Sequence, residues 1–128
     1  MIEITVNIDV DNLEKASEFY CKAFDLERGE MFGPHALELM GANCKIYLLA
    51  RESGSAPVRQ LNQTRDYARH WTPIHVDFVV PKIEPALERA VAAGATAETS
   101  IRSYDFGRLA VLADPWGHGF CLIEFGVL

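Results

Sequence analysis

Ile4-Thr5-Val6-Asn7-Ile8-Asp9-Val10 is echoed, 70 residues later, by Ile74-His75-Val76-Asp77-Phe78-Val79-Val80. The offset persists beyond the two stretches. Leu13 falls on Ile83, Glu14 on Glu84, Ala16 on Ala86, Glu18 on Glu88 and Ala23 on Ala93. A strand followed by a helix therefore recurs in the same order, and an internal repeat outranks any local reading of the fold. Two copies of one sheet unit can pair around a cleft, with equivalent positions facing each other across it.

The first stretch alternates. Ile4, Val6, Ile8 and Val10 share one face, and Thr5, Asn7 and Asp9 share the other. Period 2 of this kind predicts a half-buried strand. Asp11 with Glu14 reads as a capping box opening a helix, which runs to about Phe24. Leu13, Ala16, Phe19, Tyr20, Ala23 and Phe24 make its apolar stripe. Short strands are predicted around 28–32, 36–40 and 44–50, with Gly41-Ala42-Asn43 as a turn. The second copy predicts a strand from Ile74 to Val80 and a helix over 83–93. Pro85 is tolerable there only in the first turn, and Gly94 is placed to end the helix. Strands near 96–101, 108–113 and 119–125 follow, the last two joined by the turn Asp114-Pro115-Trp116-Gly117.

Each half is then β-α-β-β-β, and the fold class is α+β, two tandem modules forming a curved mixed-sheet cleft. Module one covers 1–50 and module two 74–128 of a single domain. Residues 51–73, polar and bearing Arg51, Arg59, Arg65 and Arg69, connect them. A connection of this length reads as a lid or binding loop, or equally as a solvated linker.

Composition narrows the functional classes. With 128 residues the chain can bury a core of its own. Apolar residues at 49% and charged residues at 23% argue against disorder. A net charge of −6 and the lack of a basic, aromatic-studded stripe disfavour a nucleic-acid partner. No apolar run approaches the roughly 20 residues of a membrane helix. Nor does a basic-then-apolar leader open the chain. Cys21, Cys44 and Cys121 are odd in number and widely spaced, which predicts free thiols and a cytoplasmic location.

Three strings carry a family likeness: Asp11-Asn12-Leu13-Glu14-Lys15-Ala16-Ser17-Glu18-Phe19-Tyr20, Gly94-Ala95, and Asp114-Pro115-Trp116-Gly117-His118 before a strand ending Ile123-Glu124-Phe125. With the element order, they make the whole chain resemble the vicinal oxygen chelate superfamily of glyoxalase I, bleomycin-resistance proteins, fosfomycin-resistance enzymes and extradiol dioxygenases. The resemblance implies the βαβββ pair and a homodimer. It does not imply one reaction, because this fold carries many.

Metal-dependent members take their ligands from four strands, two per module. By resemblance those positions fall on Thr5, on or beside Tyr47, on His75 and on Cys121. Only His75 matches the family's His/Gln, Glu, His, Glu pattern. Cys121 can bind a soft metal as thiolate, or be a small buried apolar residue. Neutral Thr5 and Tyr47 are poor ligands. Asp9 and Asp77 share the polar faces, but two residues of strand separate Asp77 from His75, so its recruitment is expected to need a rearranged site.

The expected ligand-binding cleft is lined by Thr5, Asn7, Asp9, Tyr47, His75, Asp77, Phe106 and Cys121, with Trp116 as a second candidate wall. Carboxylates and aromatic rings suit a flat or cationic small molecule. No cofactor is firmly implied. The alternative is a lyase, isomerase or dioxygenase holding Zn, Ni, Mn or Fe through His75, Cys121 and non-standard partners.

Overall fold

The computed structural model describes residues 1–126, and the last two residues of the expected second module lie outside that range. The chain divides into two compact units, residues 1–67 and 68–128.

The first unit runs β1 (Thr5–Val10), α1 (Leu13–Phe24), β2 (Glu27–Met31), β3 (Ala36–Met40) and β4 (Lys45–Ala50). Its sheet has the order β1-β4-β3-β2, with β1 parallel to β4 and the other pairs antiparallel. Helix α1 starts one residue later than the capping-box reading. Asn12 is the cap, its side-chain oxygen accepting from the Lys15 N–H at 3.0 Å. Glu14 does not close the box, because Arg28 of β2 holds both its oxygens at 3.0 and 3.1 Å. Arg28 also donates to the Ser17 hydroxyl, which marks the face of the sheet turned toward α1.

Following the pairing from Arg28 through Leu39, Ile46 and Val6 puts Val6, Ile8 and Val10 on that helix face. Val10, Leu37, Leu39, Ile46 and Leu48 are buried there with Ala16, Phe19, Tyr20 and Ala23 of α1. Burying these side chains contributes about 1.5–3 kcal/mol for each large one, which outweighs the propensity of any single residue. The alternation in 4–10 is thereby explained.

Residues 51–67 are folded back rather than slack. The Gly54 N–H donates to the Arg65 carbonyl and the Arg65 N–H to the Ser55 carbonyl, the Tyr67 hydroxyl donates to the Arg51 carbonyl, and the Arg65 guanidinium meets Asp9 at 2.7 Å. The expected connector thus splits: 51–67 pack with the first unit and 68–73 belong with the second.

The second unit runs β5 (Val76–Val79), α2 (Ile83–Ala93), β6 (Thr96–Ala97), β7 (Arg102–Tyr104), β8 (Gly107–Ala113) and β9 (Gly119–Phe125). The order β5-β9-β8-β6 repeats that of the first sheet, with β5 parallel to β9 and β7 added alongside β8. The single strand expected at 96–101 is broken. The Glu98 and Thr99 N–H groups both reach the Val111 carbonyl, and the Thr99 hydroxyl takes the Val111 N–H at 3.0 Å. Two residues opposing one is a bulge, and it ends the ladder.

Helix α2 spans the expected residues and ends at Gly94, whose φ of 127° favours glycine. Lys82 provides no side-chain cap. The Ile83 N–H instead donates to Glu124 of β9 at 2.8 Å, which satisfies one of the donors a helix start leaves open. Glu124 also marks the face of this sheet turned toward α2. Asp114 closes its turn as expected, accepting from the Trp116 and His118 N–H groups at 2.8 and 2.9 Å. Among the described residues no helix is long and apolar enough to cross a membrane.

Candidate functional site

The two parallel pairs carry the repeat into register. Asn7 lies opposite Tyr47 in the first sheet, and Asp77 lies opposite Cys121 in the second. Asn7 and Asp77 are themselves one offset apart, so Tyr47 and Cys121 occupy corresponding places. All four project from the faces turned away from the helices, because Val6, Ile46, Phe120 and Glu124 alternate with them.

In the first unit Thr5 and Asn7 are exposed, and Tyr47 is half-buried edge-on to Phe32, with ring centroids 5.7 Å apart. Glu38 pairs with Tyr47 from β3. Asp9 shares the face, but its carboxylate is held by Arg65, whose side chain is 15% exposed. The charge that a cationic ligand would seek there is already matched.

In the second unit the residues converge. The Nε2 of His75 lies 3.1 Å from Oδ1 of Asp77, both side chains being partly exposed. Ligating atoms of His75, Asp77 and Cys121 all fall within 4.8 Å of one another. Asp77, whose recruitment was expected to need a rearranged site, thus stands within reach of His75. Backbone spacing along a strand separates the Cα atoms, but residues two apart share a face, and here the two side chains meet. Cys121 is buried at 3% exposure. Burial pushes its thiol up to about 11, and the neighbouring Asp77 carboxylate adds to the rise. Such a thiol stays protonated at neutral pH and is a poor nucleophile.

The other two expected walls, Phe106 and Trp116, have surroundings of their own. Phe106 stacks on Tyr104 at 5.3 Å in the β7–β8 hairpin and accepts a bond from Gly126 through its carbonyl. Gly107 beside it pairs with Phe125, four residues along β9 from Cys121 or roughly 13 Å. Trp116 is 7% exposed and belongs to the core.

The residue that sequence reasoning missed is Trp71. Its ring meets the His75 imidazole at 4.8 Å, with Arg69 over it at 5.6 Å, and it is 49% exposed. Gly119, at the start of β9, was the available signal. A Cβ there would stand 2.4 Å from the indole, and a glycine in a strand often marks such a close approach.

A family model for the glyoxalase-like domain matches residues 5–123. The chain belongs to that family. The glyoxalase-like chain is also 28% identical over 123 residues to an uncharacterised protein of Mycobacterium bovis, covering 93% of this chain and 80% of that one. Its fold is similar to that of a glyoxalase-related enzyme from Fulvimarina pelagi, with a TM-score of 0.73 and 16% identity over 97% of this chain and 87% of the other. It is similar also to an antibiotic binding protein from Streptomyces, with a TM-score of 0.69 and 18% identity over 98% and 97%. The resemblance read from the sequence to the vicinal oxygen chelate superfamily, and the paired βαβββ architecture, are thereby shown. At these identities the structural likeness speaks for fold alone.

Proposed function

We propose that this glyoxalase-like chain binds a small molecule on the strand faces turned away from its helices, and does so without the family's four-ligand metal centre. The observation that carries the reading is the half-open group Trp71, His75 and Asp77. An exposed indole tilted against an imidazole offers a flat apolar surface, and the carboxylate beside it offers charge. That combination suits a flat or cationic ligand. The donor set supports the negative half of the proposal, because Thr5 and Tyr47 are neutral where the family has ligands. An antibiotic binding protein of the same fold is consistent with binding as an end in itself. Cytoplasmic location and homodimeric assembly belong to the same proposal. Cys21, Cys44 and Cys121, all free thiols, fit the first.

The test is a thermal-shift screen against cationic drugs, aromatic metabolites and thiol conjugates, followed by calorimetric titration of the best binder. Trp71→Ala and Asp77→Asn are each expected to weaken binding by about tenfold, the scale of one stacked ring or one charged contact. Unchanged affinity in both variants would displace the site.

The cluster of His75, Asp77 and Cys121 favours a second reading, in which these residues hold a divalent transition metal. Imidazole, carboxylate and thiolate together suit zinc by donor type. A bound ion would polarise ligand oxygens. The chain's part would be to release the Cys121 proton and to keep Asp77 aimed at His75. Under this reading Asp77→Asn lowers metal affinity. Under the first it lowers only ligand affinity.

A further inference from the structure

We infer that His70 and His118 form a proton-sensitive latch that holds Trp71 over His75, and so regulates the proposed ligand face. The two imidazoles meet at 2.9 Å, Nδ1 of His118 against Nε2 of His70. The Nδ1 of His70 lies 2.9 Å from the Ala68 carbonyl, which can only accept, so that nitrogen carries a proton. In the neutral ring Nε2 is then a lone pair, and the His118 Nδ1–H donates to it. One further proton on the pair still leaves one of the two bridging nitrogens unprotonated, so the bridge survives it. A second sets two N–H groups and two positive rings against each other, and the bridge is lost. Imidazole is the side chain that ordinarily changes charge between about pH 5 and pH 8.

The bridge closes a small strap. His70 pairs with His118 in a parallel bridge, and its N–H donates to the Gly117 carbonyl at 3.0 Å. Trp71 follows directly and lies on Gly119 and His75. Charged groups flank the pair. Asp114 accepts the backbone N–H of His118. Arg69, next in the chain to His70, is neutralised by Glu98 through two bonds at 2.5 and 2.7 Å. His75, paired with Asp77, touches the indole. The strap therefore stays closed while one ring is uncharged and opens when both rings are charged, releasing Trp71. The latch stands on contacts within residues 68–119, whereas its consequence for binding rests on the ligand face proposed above.

The experiment is amide hydrogen exchange by NMR on the ligand-free protein, corrected for the intrinsic pH dependence of exchange. Protection of the His70 N–H should fall by about tenfold or more as pH is lowered from about 8 to about 4, and the fall should persist in His75→Gln. In His118→Gln, checked for folding by its other protected amides, the response should vanish. Constant His70 protection in the wild type, or an undiminished response in His118→Gln, overturns the latch. Since no ligand is present, failure of the ligand screen would not mimic either result.

Discussion

Trp71 lies against the backbone of Gly119, so closely that a single methyl group there would overlap the indole. This contact sets where the aromatic wall beside His75 stands. Gly119→Ala should displace the indole and the Arg69 guanidinium that also crowds the site. The expected cost is about 1–3 kcal/mol in denaturant unfolding, the range for overpacking. Combined with Trp71→Ala, most of that penalty should disappear, because the double-mutant cycle removes the clash along with the ring.

Cys121 should be silent to alkylating agents in the native protein at neutral pH and react only on unfolding, while the half-buried Cys44 reacts in the native state. Its thiol also predicts a stability profile. The native pKa is raised to about 11, so the folded state favours the protonated form. Stability is fully present below the unfolded thiol's value and is lost as pH rises from about 8.5 toward about 11. Cys121→Ala should remove a loss on the order of 3 kcal/mol from the alkaline limb of the unfolding curve.

Arg65 holds residues 51–67 to β1 through Asp9. Arg65→Ala should leave the sheet intact and loosen this segment. Limited proteolysis should then cut within residues 52–66 faster than in the parent protein, and the same should follow from Asp9→Asn. Equal cleavage rates would show that backbone bonds alone hold the segment.

Glu124 carries the start of α2. Its carboxyl is held below the usual range by the Ile83 N–H and by Arg108. A lowered native pKa gives stability that is present above the unfolded carboxyl's value and lost as pH falls through the native one. Glu124→Gln should therefore destabilise the protein at neutral pH and flatten its acid limb, measured as the difference between the two unfolding curves from about pH 6 down to about pH 3.

Much of this was legible in the sequence, and the reasons are local. The 4–10 alternation, the 83–93 helix ended by Gly94, and the Asp114 turn each rest on residues within a few positions of one another. Asn12 displaced Asp11 as a cap because Glu14 was claimed by Arg28, a partner 14 residues away that no spacing rule reveals. The bulge at Glu98 and Thr99 depends on Val111 in the same way. At the candidate site, His75 and Cys121 were placed by family likeness. Asp77 stands nearer to His75 than backbone distance along the strand suggests. Trp71 sat in a polar connector with no periodicity to flag it, and only Gly119, on another strand, hinted at the ring.

The measurement that bears most directly on the central claim is elemental analysis of the protein purified without chelator, repeated for His75→Ala. Binding without the family's metal centre predicts well under one equivalent of Zn, Ni, Mn or Fe, unchanged by the substitution. One equivalent in the parent protein, lost in His75→Ala, would contradict it and establish the metal reading in its place.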